Sequence, residues 1–311
     1  MTTDQAIARS PAARDRQVRA LRPTKPAVDV TRPHGVALED ERLVDGRVAR
    51  ALTVFLAGRE CPFTCVFCDL WRYTTDDPTP DGAIPAQLRA ALADPRVRAE
   101  PTPPRIVKLY NASNYFDDRA VPTRDDDAVI DLVAPANDPA TRDRRIVVEN
   151  HPKLLGPRCF AFADRLRARG ARLEVALGVE TIHPEAMRRI GKRVTRDDLA
   201  RAADRLRDAD IALRAFVLIG APYVPVDETL DWIDRSVAFA LDRGADHVAL
   251  IPVRGGNGAM ERLRAAGDWT PPRFDHIEQA FVRARAIVRA RRGAGRATDV
   301  EGDDAGGRGR R

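Results

Sequence analysis

Residues 50–71 read RALTVFLAGRECPFTCVFCDLW. The first half is a short run of apolar and β-branched residues, which predicts a strand buried on both faces. The second half holds Cys61, Cys65 and Cys68, three of the four cysteines in 311 residues; the fourth is Cys159. A strand that ends in a cysteine loop raises two questions. Which sheet does it join, and what do three thiols hold at its carboxyl end?

Five more runs of the same kind follow: RIVKLYN, RRIVVEN, RLEVALGVE, ALRAFVLIG and DHVALIPV. Amphipathic stretches separate them, such as FAFADRLRARG, DDLARAADRLRDA and ETLDWIDRSVAFALDRG. Several end in the glycine that commonly closes a helix. Six such units with right-handed crossovers predict an α/β chain whose parallel sheet curls into a (βα)6 partial, open TIM-type barrel. A doubly wound open sheet is the alternative. In both, ligands bind at the carboxyl ends of the strands. After the cysteine loop, those ends read NASNYFDD, ENHP, GVETIHPE, IGAPYVP and RGGNGAM, a rim of polar and glycine residues.

The ends of the chain read differently. Residues 1–46 are rich in Pro and Arg with little periodicity and predict an irregular extension; 47–292 form the core domain; 293–311 predict a disordered basic tail. The net charge is +6 and the pI about 9.5. Lysine occurs only at Lys25, Lys108, Lys153 and Lys192, and the arginines alternate with acids on predicted helices, so the basicity is diffuse rather than a nucleic-acid stripe. No apolar run reaches membrane-spanning length and no signal-peptide pattern is present, which predicts a cytoplasmic protein without a membrane partner. In a reducing compartment, clustered cysteines are metal ligands or redox groups more often than disulfides.

Four thiolates, or three and a histidine, close a structural zinc site. A 4Fe–4S cluster normally takes four cysteines, so three in one loop leave one iron for an outside ligand. A zinc loop completed by Cys159 or a histidine is the competing reading, and would make the protein a zinc-stabilised, non-catalytic binding module.

The spacing Cys61-x3-Cys65-x-Phe67-Cys68 resembles the signature of the radical SAM superfamily, CxxxCxΦC with Φ aromatic. That resemblance implies a (βα)6 partial barrel, a 4Fe–4S cluster on Cys61, Cys65 and Cys68, and S-adenosylmethionine (SAM) on the free iron. It implies an enzyme that cleaves SAM to a 5′-deoxyadenosyl radical and abstracts hydrogen from a substrate, served by a one-electron donor such as ferredoxin or flavodoxin. By the same resemblance Phe67 and Gly220, in VLIGAP, lie beside the adenine. Glu180, in GVET, and Lys192, in IGKRVT, are cofactor contacts. Where the family carries a Gly-Gly-Glu-like segment for the SAM amino group, this chain has Asn111, Ser113 and Asn114 as acceptors. Glu149 and His151 stand between a supporting role and substrate contact. Cys159 reads as a buried thiol.

Within the superfamily, KLYNASNYFDDRAVP and LEVALGVETIHPEAMRRIGKRVT resemble the Elongator and archaeosine-synthase branch, over roughly residues 45–285. That branch implies tRNA modification, with tRNA bound directly or through a tRNA-recognising partner. A small-molecule or peptide substrate is the alternative.

Overall fold

A computed structural model describes residues 6–301, with side chains to Arg291. In chain order the elements are α1 (Pro11–Ala20), β1 (Gly35–Arg42), β2 (Val48–Leu56), β3 (Gly58–Arg59), β4 (Thr74–Thr75), α2 (Ala83–Leu92), α3 (Pro95–Arg98), β5 (Ile106–Asn111) and α4 (Asp126–Val133). Then come β6 (Arg145–Asn150), α5 (Pro157–Ala168), β7 (Arg172–Glu180), α6 (Pro184–Arg189), α7 (Arg196–Asp208), β8 (Ala212–Ile219), α8 (Thr229–Asp242), β9 (Ala245–Pro252), α9 (Ala259–Ala265) and α10 (Phe274–Glu301). Each of the six apolar runs read from the sequence is a strand.

The main sheet has the order β1-β2-β5-β6-β7-β8-β9. The strands from β2 onward are parallel and follow chain order, while β1 lies antiparallel on the outer edge of β2. No strand order reverses, so the doubly wound alternative, which needs a switch point, does not hold. The sheet curls into an open half-barrel. Alternate residues divide its two faces. Leu52, Val54, Leu109, Val148, Val175 and Val217 point outward and pack beneath the helices in the main core. Helix α7 shows how a helix is fixed there. Thr195 and Asp198 form a capping box, an arrangement worth about 1 kcal/mol, and Leu199, Ala202, Ala203 and Leu206 are its buried stripe.

The inward face is charged at its lower level. Lys108 Nζ lies 2.7 Å from Glu39 Oε1 and 2.5 Å from Glu41 Oε2. Arg214 reaches Glu41 at 2.5 Å and Glu174 at 2.6 Å, and Arg145 meets Glu174 at 2.8 Å. Burial acts to raise the Glu174 carboxyl, but His247, Arg214 and Arg145 hold it down at about 2. Every charge has a partner, as burial of ions requires. The network ties β1 to β8 across the open barrel and fills the lumen floor.

Two findings differ from the sequence reading of residues 1–46. The stretch holds helix α1, and strand β1 donates Glu39 and Glu41 to the lumen. In GVALEDER the apolar alternation stops after Val36 and Leu38, because the inward side chains that follow are the carboxylates Glu39 and Glu41, paired with the small Ala51 and Ala49 of β2. At the other end, helical backbone continues to Glu301, past the expected boundary at Gly293. Residues 302–311 of the expected tail lie outside the described residues.

Candidate functional site

The cysteine loop leaves β2 through β3 and is pinned from three sides. Val66 is fully buried in a second apolar cluster with Ile190, Leu218, Tyr223, Met260 and Trp269, to which α1 adds Val18. The Val66 N–H donates to Ile190 O at 2.9 Å, and the Cys68 N–H donates to Cys65 O at 3.1 Å. Asn257, after β9, donates through Nδ2 to Val66 O at 2.8 Å and Cys68 O at 3.2 Å, while its Oδ1 accepts from the Met260 N–H. Gly191 makes the third contact, with φ +86° and its α-carbon against the loop. A Cβ there would stand 2.7 Å from Thr64 O, so only glycine lets this segment close on the loop.

The three thiols are half-buried. Burial pushes all of them up, Cys68 to about 12, so metal binding must displace their protons. Among the described residues no three His, Cys, Asp or Glu side chains are grouped to hold one metal ion. Thiolates that each take a different iron of a cluster stand around it rather than converging on a point. Cys159 is fully buried in the main core on α5, among apolar neighbours, and is not brought to the loop.

Glu180 and Lys192 meet at the rim. Lys192 Nζ donates to Glu180 Oε1 at 2.5 Å, with both side chains at most 11% exposed. A register shift between Gly178 and Glu180 ends β7, and Glu180 takes φ +62°. This turns its carboxylate back over the strand. The ion pair occupies the space where Gly178 lacks a side chain. Burial acts to lower the Lys192 ammonium, yet the Glu180 carboxylate beside it carries it above its ordinary value.

His151, following β6, ties the rim together. Its ring stacks on Phe63 of the cysteine loop at 3.8 Å and 9°. Nδ1 accepts from the Lys153 N–H at 3.2 Å, so Nε2 carries the proton and donates to Lys192 O at 3.0 Å. Burial, with Lys192 nearby, lowers the ring to about 3, and it stays neutral near pH 7. The Asn114 Oδ1 accepts from the His151 N–H at 2.9 Å. His151 is a positioning residue.

Buried polar atoms without partners gather on the same rim: both side-chain heteroatoms of Asn111, Ser113 Oγ, Asn114 Nδ2 and Asn150 Oδ1. Orphaned groups of this kind are costly unless a ligand or water meets them. The remaining expected contacts are placed less openly. Phe67 packs against the second apolar cluster. Gly220 lies in the turn after β8, its carbonyl accepting from the Trp269 indole at 3.0 Å. Phe63 and Asn257 lie in loops that follow strand ends and Asn150 is the last residue of β6, but no motif in the sequence marks them.

Comparison with solved structures decides the architecture. An archaeal Elp3 of Methanocaldococcus infernus, lacking its N-terminus, superposes with a TM-score of 0.50 at 16% identity, over 66% of this chain and 50% of that one. The chain has the radical SAM partial-barrel fold. Coproporphyrinogen III oxidase of Escherichia coli, described as a radical SAM enzyme, matches with a TM-score of 0.44 at 14% identity, over 75% of this chain and 51% of that one. The chain thus spans about half the length of these two structures. An uncharacterised protein of Methanocaldococcus jannaschii is 19% identical over 254 residues, 78% of this chain and 67% of that protein. No protein-family model matches.

The residues present fit the two groups that the radical SAM fold implies. Three thiols in one pinned loop match a cluster with one iron left open, and the unpartnered amides beside them match a zwitterionic ligand with both donors and acceptors to satisfy.

Proposed function

We propose that the chain is a radical SAM enzyme, with Cys61, Cys65 and Cys68 holding a 4Fe–4S cluster and the adjacent rim holding SAM. The observation that carries this reading is the three-cysteine loop, locked at the carboxyl ends of the strands beside buried amides that lack partners. When bound, the cluster supplies the electron that splits SAM into methionine and a 5′-deoxyadenosyl radical able to take hydrogen from a substrate.

The chain's own part is to bind, orient and exclude. Asn111, Ser113, Asn114 and Asn150 offer acceptors to the SAM ammonium and amide donors to its carboxylate. Lys192, kept charged by Glu180, adds a positive group on the same side, and Glu180 presents its second oxygen to the ligand. Phe67 and Gly220 flank the adenine. His151 fixes the backbone of Lys192 against the cysteine loop through its hydrogen bond and its stack on Phe63. A site so preorganised spends little on rearrangement when its ligand arrives.

A reduced ferredoxin or flavodoxin delivers the electron. The motifs favour the Elongator and archaeosine-synthase branch, so tRNA modification belongs to the reading. The diffuse charge favours a partner that recognises the RNA, or a small-molecule substrate, over direct RNA binding. No described helix is long and apolar enough to cross a membrane, and we place the enzyme in the cytoplasm.

The zinc-module alternative loses its fourth thiol, because Cys159 lies in the core. Anaerobic reconstitution with iron and sulfide, followed by a calorimetric titration with SAM, tests the proposal. A brown protein that binds SAM supports it. A colourless zinc protein that ignores SAM overturns it.

A further inference from the structure

Above the ionic floor, the lumen stays hollow. A cavity of about 260 Å3 opens there, walled by Phe55 of β2 and Tyr110 of β5, with Glu149 of β6 at one side. Leu70 and Tyr73, just beyond the cysteine loop, form the outer wall, and His34 completes it, its Nε2 2.6 Å from Tyr73 O. Phe55, Leu70 and Tyr73 are 44, 42 and 44% exposed, unusual for large apolar side chains gathered round one hollow. Tyr110 meets Phe216 edge-on, with ring centroids 6.0 Å apart.

The polar content of the cavity is small, with Asn111 and Glu149 at the strand ends and His34 on the outer wall. Glu149 is the carboxyl that faces it, and among the described residues that carboxyl has no hydrogen-bond or ion-pair partner. Burial pushes Glu149 up, to about 8, so it is a neutral acid that can accept and donate. The charges of Lys192 and Glu180 act on it through space, the first lowering and the second raising it, though neither lines the cavity. Of the residues proposed for SAM, Asn111 borders the cavity, and the rest do not.

From this arrangement we infer that the cavity binds a planar aromatic ring carrying an N–H group, the ring held between Phe55, Tyr110 and Tyr73 and the N–H directed at Glu149. Naming that ring the substrate rests on the radical SAM reading; the binding itself does not. Aromatic walls reward a flat ring over a flexible aliphatic one. Glu149, a half-buried carboxyl without a protein partner, rewards an N–H over a C–H, because a ring lacking the donor leaves it without one.

The test uses the reconstituted full chain and two matched probes, indole and its carbon analogue indene, read by ligand-observed NMR. Indole should bind about tenfold more tightly than indene, and Glu149→Ala should erase that difference. Tyr73→Ala, on the exposed wall, should weaken both probes and serves if Glu149→Ala does not fold. Equal binding of the two probes to the native chain, or binding untouched by Tyr73→Ala, overturns the inference. SAM cleavage without indole binding would sink this inference alone. Indole binding without iron or SAM cleavage would sink the radical SAM reading and leave the ring site standing.

Discussion

Gly178→Ala separates the stability of the barrel from the geometry of its rim. A Cβ at Gly178 would stand 2.1 Å from both Glu180 Oε1 and Lys192 Nζ, and 3.0 Å from Glu180 Cδ. Ordinary contact begins near 3.4 Å, so each head group must retreat by roughly an ångström. Both are tips of flexible side chains, so the strand need not move. Overpacking of this kind costs about 1–3 kcal/mol, a shift of several degrees in Tm for a chain of this size. The displaced charges can no longer meet a ligand from their native positions. Losing a charged hydrogen bond to SAM costs about 1.5–3 kcal/mol, roughly ten- to a hundredfold in affinity. The assay is calorimetric titration of SAM into the anaerobic reconstituted variant, with iron content measured alongside. Iron should stay at the native level while SAM affinity falls. A folded variant that binds SAM within twofold of the native chain would refute the role given to the ion pair.

Other consequences are as direct. Cys61→Ala, Cys65→Ala and Cys68→Ala should each abolish iron retention, and Cys159→Ala should not; equal losses from all four would contradict the three-cysteine site. Asn257→Ala removes two bonds to the cysteine loop and the Met260 cap, so it should cost about 1–3 kcal/mol and shorten iron retention after gel filtration. Unchanged retention would mean the loop is held elsewhere. Arg214→Met leaves Glu41 and Glu174 under-compensated and should cost about 3 kcal/mol in urea unfolding, against near-zero for a network that contributes only packing. His151 has a folded value of about 3 against 6.5 for the free group, so between these pH values the unfolded chain binds more protons. Stability should therefore be level above about pH 6.5 and fall towards pH 3. His151→Gln should flatten that fall in urea midpoints taken at pH 5 and pH 7, and parallel curves would argue against it.

The six parallel strands were legible because strands covered on both faces are nearly continuous apolar runs, as in RIVVEN and LEVALGVE. The cysteine loop was legible because its spacing is local. Strand β1 was hidden because Glu39 and Glu41 answer to Lys108 and Arg214, partners far away in sequence that no local pattern reveals. The same holds for Phe63 with His151 and for Asn257 with Val66, contacts that exist only once the strand ends are gathered at one rim. The sequence marks Glu180 and Lys192 as cofactor contacts, with Lys192 able to pair with a carboxylate, but does not say which one. Their pairing depends on Gly178, whose missing side chain mattered only after the bulge in β7 placed both charges above it.

The most direct measurement is product analysis. The anaerobically reconstituted chain, reduced and incubated with SAM, is assayed for 5′-deoxyadenosine and methionine by liquid chromatography and mass spectrometry, beside Cys65→Ala. The native chain should form 5′-deoxyadenosine and the variant none. A native chain that holds iron and SAM yet yields no 5′-deoxyadenosine, or a variant that yields as much, would contradict the radical SAM reading.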